Sequence, residues 1–233
     1  MFAAYSLNVS GDIKPGAENA LAVKIYPLDY PGLPAHPQLD ALGDFYENGG
    51  PTGDIGKNVT MLSSVGWDWI PAVRDRNMGI WQPVFLRTSG HTTITRPQII
   101  TDLPALPDTG VARISLHLTL NNDSHMKQEG RLNISLTPEN FKGVPVNFSI
   151  PAIAAADGTS LISVAPGGVP ELSIHQPHLW WPNGYGKPNL YRIRIRFIQK
   201  DKISDDTSFV FGIRTVSSKT ENVNGWVRRD FYV

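Results

Sequence analysis

The sequence predicts an all-β protein, and three observations support that class. Apolar and polar residues alternate one by one along several runs, which is the period of a strand with one buried face. Proline, glycine, asparagine and aspartate interrupt these runs at roughly the spacing expected of a β-sandwich. No long run in the 233 residues has the period of a helix. We therefore expect antiparallel sheets packed face to face.

The clearest alternation lies between residues 91 and 214, where five runs predict strands of a single sandwich. The run ISLHLTL places aliphatic side chains on one face and polar side chains on the other. The runs RLNISL, VNFSI, YRIRIRF and FVFGI repeat that pattern. The size and strand spacing are those of an immunoglobulin-like β-sandwich. The positions expected to face its core are Ile114, Leu116, Leu118, Leu120, Leu132, Ile134, Leu136, Val146, Phe148, Ile150, Tyr191, Ile193, Ile195, Phe197, Phe209, Phe211 and Ile213.

Residues 1–90 are organised differently. The segment YSLNVSGDIKPGAENALAVKIYP predicts a strand through residues 7–9, a turn on Lys-Pro-Gly, and a second strand through residues 21–25. The Gly- and Pro-rich stretch 27–63 predicts a functional or disordered loop. A further strand is expected at residues 84–86.

The boundary between the two domains is placed near Gly90. The Pro-rich segment TDLPALPDTG, residues 101–110, is turn-like. It is either an early loop of the second domain or part of the linker between the domains.

Composition excludes several classes of protein. The 21 lysines and arginines balance 21 aspartates and glutamates, which argues against a nucleic-acid binder. The absence of cysteine excludes disulfides and thiolate metal sites. No apolar run reaches the length of a membrane span, and the first residues lack the pattern of a signal peptide. The histidines show no metal-ligand spacing, so we expect no metal and no cofactor.

Two charged patterns have plain structural explanations. The motif GGPTGDIGKN contains the glycines and lysine of a phosphate loop, but Asn58 stands where serine or threonine should bind magnesium. We interpret it as a surface loop. Arg192, Arg194 and Arg196 line one face of a predicted strand. They could clamp acidic groups, but we favour a solvated outer face because such alternation is routine in antiparallel sheets.

The tryptophans supply the candidate functional site. Five of the six occur around two segments that contain glycine and proline, GWDWIP and HLWWPNGYG. Aromatic faces stack on sugar C–H surfaces, and Asp68 between two of them can accept hydrogen bonds from hydroxyls. Alternatively, the tryptophans anchor a contact between domains. The residues themselves leave both uses open.

Taken in order, these segments resemble glycoside hydrolase family 2, in its exo-acting β-glucosaminidase and β-mannosidase branches. LNVSGDIKPGAENALAVKIYP is similar to the strand–turn–strand of the family's sugar-binding jelly roll, and GWDWIPAVRDRNMGIWQPVFL to its Trp-Asp-Trp segment. LWWPNGYGKPNLYRIRIRF resembles a hairpin of the immunoglobulin-like second domain. FGIRTV and NGWVRRDFYV resemble the segment that leads into a (β/α)₈ barrel. The resemblance covers most of the chain.

The resemblance implies a domain plan. A partial jelly-roll (galactose-binding-like) sandwich would occupy residues 1–90, an immunoglobulin-like β-sandwich residues 91–214, and a connector toward the barrel residues 215–233. In this family the barrel carries the two catalytic glutamates, one of them after an asparagine. This chain has no Asn-Glu dipeptide and no room for a barrel of about 250 residues. We therefore expect a non-catalytic fragment, inactive alone, of an enzyme that hydrolyses terminal β-glucosaminide or β-mannoside bonds.

The resemblance also assigns roles to the aromatic residues. The expected pocket wall of the parent enzyme consists of Trp67, Asp68 and Trp69, and the expected domain-interface aromatics are Trp81, Trp180 and Trp181. The implied partners are an oligosaccharide substrate, the missing barrel and another copy of the chain through exposed strand edges. They do not include nucleic acid or a membrane. A periplasmic or secreted location is favoured. The rival hypotheses are a free-standing carbohydrate-binding module and a structural immunoglobulin-like interaction protein.

Overall fold

The computed structural model describes residues 6–24, 80 and 82–233. The chain divides into two compact units, Met1–Phe85 and Leu86–Val233. The division falls shortly before Gly90, where the sequence places the domain boundary. The Gly- and Pro-rich stretch 27–63 and the motif GGPTGDIGKN lie outside the described residues.

The predicted Lys-Pro-Gly turn is present in the first unit. The Asn19 side chain closes it, because Asn19 Oδ1 accepts a hydrogen bond from the Lys14 amide at 2.9 Å and Nδ2 donates to the carbonyl oxygens of Lys14 and Ala17. Gly16 has a φ of +75°, a conformation that side chains with a Cβ rarely adopt. Local side-chain chemistry therefore sets this turn, as the sequence indicates.

The strands predicted beside this turn are not formed. Residues 7–9, 21–24 and 84–86 belong to no sheet, and Leu7 and Phe85 are 82% and 83% exposed. A strand needs a neighbouring strand to pair with, and within the described residues no strand includes these segments. Alternation of apolar residues was not enough to predict a strand, and the strand prediction was wrong for these described segments.

The second unit contains every strand of the described residues, and all their pairings are antiparallel. Its strands are β1 (Thr92–Asp102), β2 (Val111–Asn122), β3 (Gln128–Pro138), β4 (Val146–Ala154), β5 (Gly158–Val164), β6 (Ser173–His175), β7 (Tyr191–Gln199), β8 (Lys202–Phe211), β9 (Ser217–Val223) and β10 (Trp226–Tyr232). One sheet has the order β1-β2-β5, with β6 also paired to β2, and the other has the order β4-β3-β7-β8. The predicted all-β class is confirmed.

The two sheets enclose one apolar core made of the alternating positions read from the sequence. In β2, Ile114, Leu116 and Leu118 are at most 1% exposed. In β7, Ile193 and Phe197 are completely buried. Phe209 and Phe211 of β8 are partly buried against the same core. Each buried aliphatic or aromatic side chain contributes about 1.5–3 kcal/mol, so burial at these alternating positions is the dominant favourable term in folding of the sandwich.

Strand β1 carries a bulge where the sequence places Arg96 and Pro97. The register with β2 shifts between Thr95 and Gln98, and Arg96 has a φ of 51°. Proline lacks an amide hydrogen and is tolerated at sheet edges and bulges, and β1 is an edge strand. The segment 103–110 joins β1 to β2, so TDLPALPDTG is a loop of the second unit rather than a linker.

Strands β9 and β10 form a separate two-stranded hairpin. Asn224 and Gly225 both have positive φ, 53° and 84°, which fits the tight turn that joins antiparallel strands. Trp226, Val227 and Phe231 are 80%, 76% and 71% exposed. No helix of the described residues has the length and apolar character to cross a membrane.

Candidate functional site

Trp180 and Trp181 lie in the segment between β6 and β7, and backbone hydrogen bonds fix both. The Trp180 amide donates to the Ile213 carbonyl oxygen at 2.9 Å, just after β8. The Trp181 amide donates to the Lys187 carbonyl oxygen at 3.2 Å, which closes the Pro-Asn-Gly loop on itself. Two of the three predicted interface tryptophans, Trp180 and Trp181, are thus held on the framework of the sandwich.

Two glycines allow the backbone to pack against the indole rings. A Cβ on Gly212 would lie 2.6 Å from the Cβ of Trp180, and a Cβ on Gly186 would lie 2.7 Å from Cδ1 of Trp181. A Cβ atom does not make non-bonded contacts this short, so the two positions need glycine for the tryptophans to stay in place.

Arg214 covers one face of the Trp180 ring. Its Cζ lies 4.3 Å from the ring centroid, which is the geometry of a cation–π contact. The Thr101 hydroxyl donates to the Arg214 carbonyl oxygen at 2.7 Å, so β1 holds the backbone of this residue. We call Trp180, Trp181 and Arg214 the tryptophan face.

Two clefts open beside the tryptophan face. One has a volume of about 440 Å³ and is lined by Ile99, Thr101, Trp180, Phe211, Arg214 and Val216, among others. A smaller one of about 110 Å³ lies among Leu103, Trp181, Ile213, Thr215 and Tyr232. The Thr215 hydroxyl is buried without a hydrogen-bond partner among the described residues. The smaller cleft is mainly apolar, whereas the larger one has both polar and apolar lining and includes the exposed guanidinium of Arg214.

The structure describes Trp180 and Trp181 but none of the other expected site residues. Trp67, Asp68, Trp69 and Trp81 lie outside the described residues. Sequence reasoning missed Arg214 and Gly212, because FVFGI was interpreted as a strand and FGIRTV as the segment that leads into a barrel. The order Gly-Ile-Arg was the signal that could have identified them. It places a glycine and an arginine on either side of Ile213, which is buried just after β8.

The three arginines of β7 are paired with carboxylates of the protein itself. Arg192 binds both oxygens of Glu139 at 2.8 and 2.6 Å. Asp206 accepts from Arg194 at 3.0 Å and from Arg196 at 3.3 Å. The three arginine side chains are 37–51% exposed and share two carboxylates, so they form a partly solvated outer face whose positive charge is largely offset by the protein itself. This arrangement supports the outer-face interpretation over the clamp.

Two of the described glutamates, Glu129 and Glu139, are held in their charged form by ion-pair partners. The hydrogen bond from Lys127 lowers the pKa of Glu129, and the hydrogen bond from Arg192 lowers the pKa of Glu139. Glu221 lies 2.6 Å from Lys219. A glycosidic general acid needs the opposite, a carboxyl with a raised pKa. No group of His, Cys, Asp or Glu within the described part of the chain could hold a metal ion.

The fold and the tryptophan face define a class of protein: an antiparallel β-sandwich module with structural ion pairs and an open aromatic surface. The family model of glycosyl hydrolases family 2 matches residues 92–214, and the chain therefore belongs to glycosyl hydrolase family 2. The resemblance read from the motifs is confirmed.

Curated relatives match more of the chain than the sandwich. The mannosylglycoprotein endo-β-mannosidase of Lilium longiflorum is 32% identical over 235 residues, which cover 97% of this chain and 22% of that protein. The exo-β-D-glucosaminidase of Streptomyces avermitilis is 30% identical over 163 residues, 70% of this chain and 17% of that protein. The chain thus spans about a fifth of the length of these relatives.

A solved structure shows the same fold. The crystal structure of the exo-chitosanase of Amycolatopsis orientalis superposes with a TM-score of 0.51 and 22% sequence identity. The superposition covers 67% of this chain and 17% of that chain. At this identity the likeness concerns the fold alone.

Proposed function

We propose that this chain is the non-catalytic β-sandwich part of a glycoside hydrolase that acts on β-linked mannosides or glucosaminides. The alignment with the lily endo-β-mannosidase carries the proposal, because it runs through 97% of the chain and so through both units. Exo-β-D-glucosaminidases align over 70% and 89% of the chain. These relatives include endo- and exo-acting enzymes, so restriction to terminal bonds stays a prediction.

The proposed domain roles follow the family. Residues 1–90 form part of the sugar-binding jelly roll, residues 91–214 the immunoglobulin-like sandwich, and residues 215–233 the connector to a catalytic barrel. Retaining hydrolysis needs one carboxyl that donates a proton and another that attacks. The ion-paired state of Glu129, Glu139 and Glu221 supports a catalytic pair that lies elsewhere in the enzyme.

The proposed site has two parts. Trp67, Asp68 and Trp69 form one wall of the sugar pocket, where Asp68 accepts hydrogen bonds from hydroxyl groups. The tryptophan face, together with Trp81, contacts the catalytic barrel. Tryptophan and arginine are the residues that most often dominate protein interfaces, and the open clefts beside Trp180 and Arg214 offer apolar surface for such a contact.

Substitution of Asp68 tests the pocket assignment. In a longer protein that carries this chain and an active barrel, Asp68→Ala should lower kcat/KM by the equivalent of about 1.5–3 kcal/mol, the value of a hydrogen bond to a charged group. Asp12→Ala is the matched control, since Asp12 is an exposed carboxylate in the same unit. Equal kcat/KM for the two variants would remove Asp68 from the pocket.

A second experiment tests the division of labour. The isolated 233-residue chain should not hydrolyse aryl β-glucosaminides or β-mannosides. Turnover that disappears when a glutamate of this chain is replaced would contradict the proposal. Measurable affinity of the isolated chain for an oligosaccharide, without turnover, would instead favour a free-standing carbohydrate-binding module.

A further inference from the structure

Asp205 of β8 is a buried carboxylate surrounded by donors from a distant part of the chain. Its side chain is 1% exposed. Oδ1 accepts from Arg87 Nη2 at 2.5 Å and from the Asp206 amide at 2.9 Å, and Oδ2 accepts from the Ile94 amide at 2.6 Å. Among the described residues, Asp205 thus accepts from two backbone amides and from one side chain, that of Arg87.

The neighbouring residue Ser204 bonds to the same segment. Its hydroxyl accepts from the Thr92 amide at 3.1 Å and donates to the Thr92 carbonyl oxygen at 2.7 Å. Its own carbonyl oxygen accepts from the Gly90 amide at 2.6 Å. A Cβ on Gly90 would lie 2.6 Å from Ser204 Oγ, so this close approach requires glycine.

A bulge in β8 makes this arrangement feasible. Successive residues of a regular strand point to opposite faces, yet Ser204 and Asp205 are both buried, at 8% and 3% exposure. The register between β7 and β8 shifts at this point, which turns both side chains inward. They face β1, the edge strand of the other sheet, and hold the two sheet edges together.

We propose that Arg87 is a positioning residue that locks the point where the chain enters the sandwich. Arg87 is the second residue of the second unit, and its Nη2 also donates to the Asp206 carbonyl oxygen at 2.9 Å. The contacts of Arg87, Gly90, Thr92 and Ile94 with residues 204–206 form what we call the β8 latch.

The latch has two groups of contacts, those at Ile94 and those of the segment before Thr92, and only the second group depends on Arg87. Without Arg87, Asp205 keeps two backbone donors, so the contact at Ile94 persists and the sandwich stays folded. The segment before Thr92 loses its side-chain anchor at Arg87 and is held by the Gly90 amide and by the contacts of His91 with Asp123. The role of Arg87 is therefore to fix the direction of residues 87–90, rather than to stabilise the core.

The direction of residues 87–90 also matters for catalysis, a consequence that rests on the proposed function. The expected pocket-wall residues Trp67 and Asp68 precede the latch in the chain, and the sandwich follows it. Loss of Arg87 should then raise KM more than it lowers kcat, because a positioning residue acts on substrate binding rather than on the chemical step.

Amide hydrogen exchange on the 233-residue chain tests the latch without any activity. Arg87→Gln keeps a polar side chain and removes the charge, and it should speed exchange at Gly90 by about tenfold while Ile94 and β3 change by less than about twofold. Asp205→Asn should speed exchange at Ile94 as well. Arg131→Gln is the matched control, since Arg131 is an exposed arginine that bonds only Ser149 in the described residues.

Three results would overturn the proposal. Exchange at Gly90 that is the same in Arg87→Gln and Arg131→Gln would show that Arg87 does not anchor the segment. Faster exchange throughout β3 and β7 would make Arg87 a residue of global stability. In a longer, active protein, unchanged KM for Arg87→Gln despite faster exchange at Gly90 would remove the positioning role, whereas loss of the Asp68 effect would overturn the pocket assignment alone.

Discussion

At the scale of single residues, Thr92 shows a polar group that the fold leaves unsatisfied. The residue is completely buried, and its backbone amide and carbonyl bond to Ser204. Its side-chain hydroxyl has no hydrogen-bond partner in the part of the chain that the structure describes. A buried hydroxyl without a partner destabilises the folded state, because it gives up its hydrogen bonds to water and forms none in the protein.

Replacing that hydroxyl by a methyl group should therefore stabilise the protein. Thr92→Val keeps the shape of the side chain and should raise the free energy of unfolding by about 1 kcal/mol, as measured by urea denaturation. Thr92→Ser is the control, because it keeps the hydroxyl and removes the methyl group, and it should be less stable than the wild type. A Thr92→Val protein of lower stability would mean that the hydroxyl is engaged.

Ion pairs on the outer face predict how stability depends on acid pH. Hydrogen bonds from Arg194 lower the pKa of Asp206 below its ordinary value of 3.8, and the hydrogen bond from Arg192 lowers that of Glu139 below 4.5. A lowered folded-state pKa gives stability that is present above the unfolded value and is lost as pH falls through the folded value. The free energy of unfolding should thus fall below about pH 4. Asp206→Asn should flatten this part of the profile, and an unchanged slope would show that the pair contributes nothing.

At the scale of elements, the end of β8 and the loop that holds Trp180 depend on each other. Gly212→Ala would place its Cβ 2.6 Å from the Cβ of Trp180, an atom next to the backbone that cannot turn away. The indole and the Arg214 side chain stacked on it should move. The free energy of unfolding, measured by urea denaturation, should fall by about 1–3 kcal/mol. Gly167→Ala is the control, because a Cβ there meets no atom within 4 Å. Equal stability of the two variants would show that the β8 end is free to shift.

At the scale of the whole molecule, stability should be unevenly distributed between the sandwich and the hairpin β9–β10. The hairpin has only two strands, and such a unit is at best marginally stable on its own. Its amides should exchange at least about a hundredfold faster than those of β3 and β7, which pair in the middle of a sheet. Comparable protection in both would mean that another surface covers the exposed Trp226 and Phe231.

The sequence by itself determined the class of the sandwich and most of its core. Alternation in β2, β3 and β7 identified the buried side chains. Burial of apolar surface is the dominant stabilising term, and in a strand it recurs at every second residue, so the sequence shows it as a period of two. Side-chain chemistry within a few residues also set the turn at Lys14 and Gly16. The same pattern failed at residues 7–9, 21–24 and 84–86, because alternation identifies an apolar face without showing whether a neighbouring strand exists.

Only the tertiary structure decided the contacts between distant residues. The stacking of Arg214 on Trp180 and the latch of Arg87 on Asp205 each join positions that are far apart in sequence, Arg87 and Asp205 being separated by 118 residues. No local period marks such pairs, and the Ser204–Asp205 bulge breaks the alternation on which sequence reasoning depends. The sequence supplied the residue types, and the packing of two sheet edges selected which of them meet, since directional hydrogen bonds form only where the fold brings donor and acceptor within reach.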